Sequence, residues 1–183
     1  GRVSKLTVLV ALGTHAGLTD QGRATLLGHP ASDVAGTYPG MEVIDHEWWD
    51  PATFAEIGTI SRGRIVELSE GRLDLEVAVR VNRAVVEHDV TLILGPVFPH
   101  EVAGFSGGNK YLFPGVSGAE MIDLSHWLGA LITSSEIIGT TGITPVRALI
   151  DEAAAMVPSE RLAFCVVVDP STGGSPRRRP QPA

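Results

Sequence analysis

The sequence predicts an α/β fold: a three-layer, doubly wound and mostly parallel sheet with helices on both faces. Three observations carry that expectation. Short apolar runs at Leu6–Leu12, Val90–Leu94 and Leu162–Val168 read as strands, the first of them, rich in β-branched residues, as a buried parallel one. Stretches with helix-start signals separate these runs, and such alternation implies parallel strands joined by helical crossovers. A glycine-rich loop, Pro99 to Gly115, follows directly behind the run Thr91–Gly95, and open α/β sheets bind ligands outside the carboxyl ends of their strands.

The elements follow in order. Leu6–Leu12 ends in Gly-Thr-His and makes the first strand. Thr19-Asp20 supplies a cap for a helix to about Leu27, closed by Gly28 and Pro30. Met41–His46 reads as a second strand, followed by a short helix that Pro51 initiates. Ile65–Leu68 and Leu75–Val79 read as a small hairpin around Glu70-Gly71. Asn82–Glu87 is helical, and Val90–Leu94 is the strand that delivers the loop. Ser117 or Gly118 starts a helix to about Leu131, Pro145 sits in the first turn of another that ends near Val157-Pro158, and Leu162–Val168 is the last strand.

The bulk properties narrow the function. With 183 residues, 44% hydrophobic and 19% charged, the chain can bury one substantial core. A formal charge of -7 argues against general affinity for nucleic acid or anionic membrane. The single cysteine, Cys165, rules out an internal disulfide framework and suits a reducing cytoplasm, the expected location. No apolar stretch reaches the roughly 20 residues needed to span a bilayer. Residues 1–168 are expected to be one domain and residues 169–183, rich in Pro, Gly and Arg, a disordered tail. A first residue placed just before a strand, together with that tail, is the expectation for a segment of a longer protein.

The loop carries the chemistry. Pro99-His-Glu-Val-Ala-Gly-Phe-Ser-Gly-Gly-Asn-Lys-Tyr-Leu-Phe-Pro-Gly115 sets His100, three glycines and Lys110 close together. Gly104, Gly107 and Gly108 let backbone N–H groups approach an anion, or serve only to permit a tight turn. The Walker motif is absent, because Asn109 and Tyr111 stand where it requires Gly and Ser or Thr. His100 titrates near neutrality, and Lys110 offers a charge or a nucleophile. His15 follows the first strand as His100 follows a later one. Either the two imidazoles face one crevice and share acid–base work, or one of them caps a neighbouring element. His126, in Asp123-Leu-Ser-His126-Trp127, is either a half-buried core histidine or a single metal ligand. One histidine cannot complete a protein-only zinc site, so a metal there needs ligands from a cofactor. His46 reads as sheet-edge packing, His29 and His88 as surface residues, and Cys165 as an inert buried thiol.

Gly13-Thr14-His15, the loop from Pro99-His100 through Ser106-Gly107-Gly108 and Lys110 to Pro114-Gly115, and His126 together resemble the amino-terminal domain of nickel-pincer lactate racemases. The similarity runs from about Leu6 to Val157, and Asp45-His46 and Val81-Asn82-Arg83 also fit. The resemblance implies a cofactor-binding domain for a racemase or epimerase of a 2-hydroxy acid. It implies a nickel-pincer nucleotide tethered at Lys110, nickel held by His126, and His15 with His100 as acid–base pair. Ser106, Gly107 and Gly108 would approach the cofactor, and proteins that make the cofactor and insert nickel would be partners. The chain departs from the family at Ala16, where many members carry a basic residue. The family's upstream acidic and arginine-containing motif and its second domain, beyond about Val168, are expected to lie outside this segment. A non-catalytic nucleotide- or anion-binding module is the alternative. A transition-metal hydrolase is disfavoured, since no H-E-x-x-H cluster occurs.

Overall fold

Strand and helix alternate through most of the chain, as a computed structural model describing residues 3–29 and 38–167 shows. In order, the elements are β1 (Leu6–Val10), α1 (Asp20–Leu27), β2 (Met41–Asp45), β3 (Phe54–Ile60), α2 (Arg62–Leu68), β4 (Val77–Asn82) and α3 (Arg83–Val86). There follow β5 (Val90–Val97), β6 (Pro99–His100), β7 (Gly104–Phe105), α4 (Ala119–Ile132), α5 (Ser134–Ile137), α6 (Pro145–Ala155) and β8 (Glu160–Val167). Short 3-10 turns occupy Pro51–Thr53 and Gly108–Tyr111. The expected tail, Pro30 and Val168 lie outside the described residues.

The fold is α/β, with mixed strand pairing. β1 pairs with β2 and β5 with β8 in parallel, while β3–β4 and the small β6–β7 hairpin are antiparallel. Among the described residues these are four two-stranded pairings rather than one hydrogen-bonded sheet.

Local chemistry explains most boundaries. Thr19 caps α1 by accepting from the Gly22 amide at 3.1 Å, and Gly28, left-handed at φ 70°, ends it. Thr144 caps α6 by accepting from the Arg147 amide at 3.1 Å, with Pro145 pre-set for the first turn. The hairpin expected around Glu70-Gly71 is instead a helix end. Ser61 caps α2, which runs through Ile65–Leu68. Glu70 and Gly71 then take positive φ, and the Gly71 amide donates to the Val66 carbonyl at 2.8 Å. A Glu-Gly pair with positive φ serves a helix terminus as readily as a tight hairpin. β3 was not expected, because its Ala, Glu, Gly and Thr residues give little apolar signal. It is a strand because β4, buried at Val77, Val79 and Val81, offers it a ladder.

The core gathers on β4, α4 and α6. Val79, Val81, Phe113, Met121, Leu128, Ile137, Val146, Leu149 and Ile150 are fully enclosed, each contributing about 1.5–3 kcal/mol of burial. The β5–β8 pair is asymmetric. Ile93 faces this core, while Val90, Leu92 and Leu94 with their neighbours Leu162, Phe164 and Val166 are exposed, Leu94 at 62% and Phe164 at 69%.

Among the buried polar residues, His46, just past β2, is an imidazole with no exposed surface. Its Nε2–H donates to the Ser117 carbonyl at 3.2 Å, and its Nδ1 accepts from the Asn82 side-chain amide at 3.3 Å. It thus joins the end of β2, the end of β4 and the entry to α4, a structural role and not simple edge packing. His88 is likewise engaged rather than a plain surface residue: its Nδ1–H donates to Ala84 at 2.8 Å, and its Nε2 accepts from the Thr7 hydroxyl at 3.0 Å.

Burial holds the His46 imidazole neutral, with a pKa below its ordinary 6.5. The unfolded chain therefore takes up this proton first. The stability tied to neutral His46 is fully present above about pH 6.5 and is lost as pH falls toward the depressed folded value. His46→Gln is expected to lower stability by about 1–3 kcal/mol at pH 7.5 and to flatten the acid-side slope. Urea denaturation at several pH values measures both, and an unchanged midpoint would refute the role.

Candidate active site

The loop from Pro99 to Gly115 crosses the carboxyl ends of β5 and β8, and its first half is set by hydrogen bonds. Ser106, nearly buried, accepts from the Phe98 amide at 3.0 Å and donates to the Pro96 carbonyl at 3.1 Å. Its hydroxyl proton is therefore committed to the loop itself. Gly107 adopts φ 89° and ψ 170°, a conformation open almost only to glycine, and a Cβ there would lie 2.6 Å from Val97 Cγ2. The Gly108 amide donates to Cys165 Sγ at 3.3 Å. Cys165, which the sequence offered only as an inert thiol, is thus a contact beneath the loop.

His100 pairs with Gly104 in the β6–β7 hairpin, and its Nδ1 accepts from the Val102 amide at 3.0 Å. An acceptor Nδ1 means that the neutral ring carries its proton on Nε2. Burial first, and then the positive charge of Lys110, hold His100 below the usual imidazole value; Glu101 opposes this, and His126 and Arg147 add to it. Lys110, half-buried, is also pushed below the usual lysine value, by burial and by Arg147, against Glu101. Lys110, Glu101, His126 and Arg147 thus all lie near enough for their charge to act on His100. Arg147, on α6, was missed in the sequence because nothing in its local pattern ties it to a loop some forty residues upstream.

His126 lies on α4 with its ring exposed. Its Nδ1–H donates to the Ile122 carbonyl at 2.6 Å, one helical turn back. A carbonyl only accepts, so the Nδ1 proton is fixed and Nε2 keeps its lone pair for a ligand. Among the described residues no group of three or more His, Cys, Asp or Glu side chains could hold a metal ion by itself. A metal bound here needs most of its donors from elsewhere. The half-buried amine of Lys110, a free Nε2 on His126 and a glycine backbone open to close approach fit a tethered, partly self-liganding cofactor.

His15 reaches the same region through the backbone. The Gly13 amide donates to the Gly115 carbonyl at 2.8 Å, joining the turn that carries His15 to the far end of the loop. Downstream, Asp45 at the end of β2 accepts from the Leu18 amide at 3.1 Å and from Arg23 at 2.7 Å. The His15 side chain is exposed. A cavity of about 460 Å³, lined by Lys5, Thr7, Arg23, Asp45, Arg83 and His88 among others, lies against β1–β2 and includes none of the loop residues. Among its lining charges Lys5 pairs with Glu42 and Arg23 with Asp45.

Residues 2–139 match the lactate racemase N-terminal domain family. The chain belongs to that family. It is 27% identical over 123 residues to a lactate racemase from Thermoanaerobacterium thermosaccharolyticum, an alignment covering 67% of this chain and 24% of that protein. Among solved structures, a Thermotoga maritima protein superposes with a TM-score of 0.80 at 28% identity, over 91% of this chain and 40% of that one. The lactate racemase apoprotein from T. thermosaccharolyticum superposes with a TM-score of 0.71 at 23% identity, over 92% and 36% respectively, a likeness of fold. The chain thus spans about a quarter of the curated lactate racemase. No helix among the described residues is long and apolar enough to cross a membrane.

The loop depends on Gly107 being glycine. Gly107→Ala is expected to cost about 1–3 kcal/mol through forced backbone strain and the clash with Val97. A thermal melt beside the parent chain tests this, and equal midpoints would show that the loop is not held in the described conformation.

Proposed function

We propose that this chain is the cofactor-binding part of a racemase or epimerase acting on a small 2-hydroxy acid. What supports the reading is that the charges of Lys110 and His126 both act on His100, and that the His15 turn is hydrogen-bonded to the end of the same loop, in a chain of the lactate racemase N-terminal domain family.

In this reading Lys110 would be the residue that holds a nickel-pincer nucleotide covalently, and burial keeps a larger share of its amine neutral. His126 offers Nε2 to nickel, an imidazole donor that suits this metal beside soft sulfur ligands. When bound, the cofactor supplies a hydride acceptor for the hydrogen on the substrate's Cα. The protein positions the substrate and moves the hydroxyl proton. His15, exposed and without a hydrogen-bond partner for its ring among the described residues, takes a proton from the substrate hydroxyl. His100, held as its Nε2–H tautomer, donates a hydrogen bond from the opposite side. For His100 to carry a second proton, Nδ1 must release the Val102 amide, so the two histidines are not equivalent in the unloaded chain. Gly107 and Gly108 let the backbone approach the cofactor, while Ser106 contributes by fixing the loop. The same reading makes the β1–β2 and β5–β8 pairs halves of one doubly wound, three-layer sheet. Their shared parallel sense supports it. Its partners are the 2-hydroxy acid and, in a cytoplasmic host, the proteins that build the cofactor and insert nickel.

Expression in cells that make the cofactor, followed by intact-mass and peptide mass spectrometry, tests the assignment. A sulfur-containing adduct on Lys110, absent from Lys110→Ala, is the expected result. An unmodified Lys110 would overturn it in favour of a non-catalytic anion-binding module. His126→Ala is expected to lose bound nickel, read by elemental analysis, with its circular dichroism unchanged. Nickel retained at the parent stoichiometry would remove His126 from the metal site.

A further inference from the structure

We propose that Arg147 and Asp151 of α6 are positioning residues that clamp the loop between His100 and Lys110. The inference rests on the reading of that loop as the site of cofactor attachment. The two residues stand four apart and so lie one turn above another on one helix face. Arg147 Nη2 donates to the Phe105 carbonyl, beside the hairpin pair that carries His100. Asp151 Oδ1 accepts from the Asn109 side-chain amide at 2.9 Å, one residue before Lys110. The bonds thus bracket Ser106-Gly107-Gly108, where glycine leaves the backbone free to take other conformations.

The clamp is anchored because α6 is anchored. Val146, Leu149, Ile150, Ala153 and Ala154 are buried in the core, and the Thr144 cap fixes the first turn. The helix base is tied to α2 through Arg64 and Glu152 at 2.8 Å. A neighbouring bond from the Gly139 amide to the Gly104 carbonyl, 2.9 Å, fastens the loop's start to the segment before α6. Arg147 is more than a strut. Its charge faces Lys110 and His100 together, with Glu101 as the opposing charge on both and the His126 imidazole as a further group facing His100. Placing a permanent cation here favours the uncharged amine that covalent attachment requires.

The 183-residue chain without cofactor suffices for the test. The probe is an N-hydroxysuccinimide acetate ester, with Lys110 acetylation followed by peptide mass spectrometry across a pH series. Hydrogen exchange at residues 104–111 is measured on the same samples. In Arg147→Met the midpoint of Lys110 reactivity is expected to move to higher pH, and Arg147→Lys, which keeps the charge, restores it. In both Arg147→Met and Asp151→Ala, exchange in the loop is expected to rise about tenfold or more while the rest of the chain keeps its protection. A parent-like midpoint in Arg147→Met would overturn the electrostatic part, even if the loop loosens. Parent-like exchange in both variants would overturn the clamp. Should Arg147→Met not fold, Asp151→Ala alone decides the exchange question, and Arg147→Gln takes its place in the reactivity series. An unmodified Lys110 in cofactor-producing cells alongside the expected shifts would refute the attachment reading and leave the clamp standing.

Discussion

The ring of Tyr111 lies where a Cβ on residue 95 would stand, 2.3 Å from that position, and its hydroxyl donates to the Pro96 carbonyl at 3.0 Å. This contact presses the loop flat against β5, and it exists only because residue 95 is glycine. From it follows the placement of Lys110, which precedes Tyr111, and of Gly115, whose carbonyl receives the turn bearing His15. Close backbone approach thus does for this site what a long side chain does in others: it fixes distance without filling the space that a ligand needs.

A second constraint works from below. His46 is a buried, neutral hydrogen-bond junction between strands and a helix entry that are far apart in sequence. Such a group stabilises only when both ring nitrogens are satisfied, and here they are. The junction holds Ser117 and Asn82 in place. Ser117 in turn forms the bridge to Val81 that delivers the loop's exit into α4. Core and site share this element, so a histidine that reads as simple edge packing in the sequence helps to set where the loop leaves for α4.

Much of this was legible in the chain. Caps at Thr19 and Thr144, the Pro145 start and the apolar runs of β1, β5 and β8 act over a few residues, so local pattern reveals them. The loop residues were legible because glycine, histidine and lysine spacing is itself local. What escaped was non-local. β3 exists through its ladder with β4, the Glu70-Gly71 turn closes a helix because Ser61 opens one, and Cys165 meets Gly108 only after β8 lies beside β5. Arg147 and Asp151 were invisible for the same reason, since their partners are separated from them by 42 residues. The spread of the pairing into four two-stranded units was not legible either, because periodicity gives the strands but not their neighbours.

The uncovered side of the β5–β8 pair governs how this polypeptide behaves in a test tube. Parallel strands are ordinarily sheltered on both sides, yet here Leu92, Leu94, Leu162 and Phe164 meet water. Water-exposed hydrocarbon on so regular a platform favours adhesion between molecules as concentration rises, and binding of apolar dyes, without any loss of native structure. The colloidal ceiling of the preparation, rather than its melting point, therefore answers to a handful of side chains on the same two strands that support the loop.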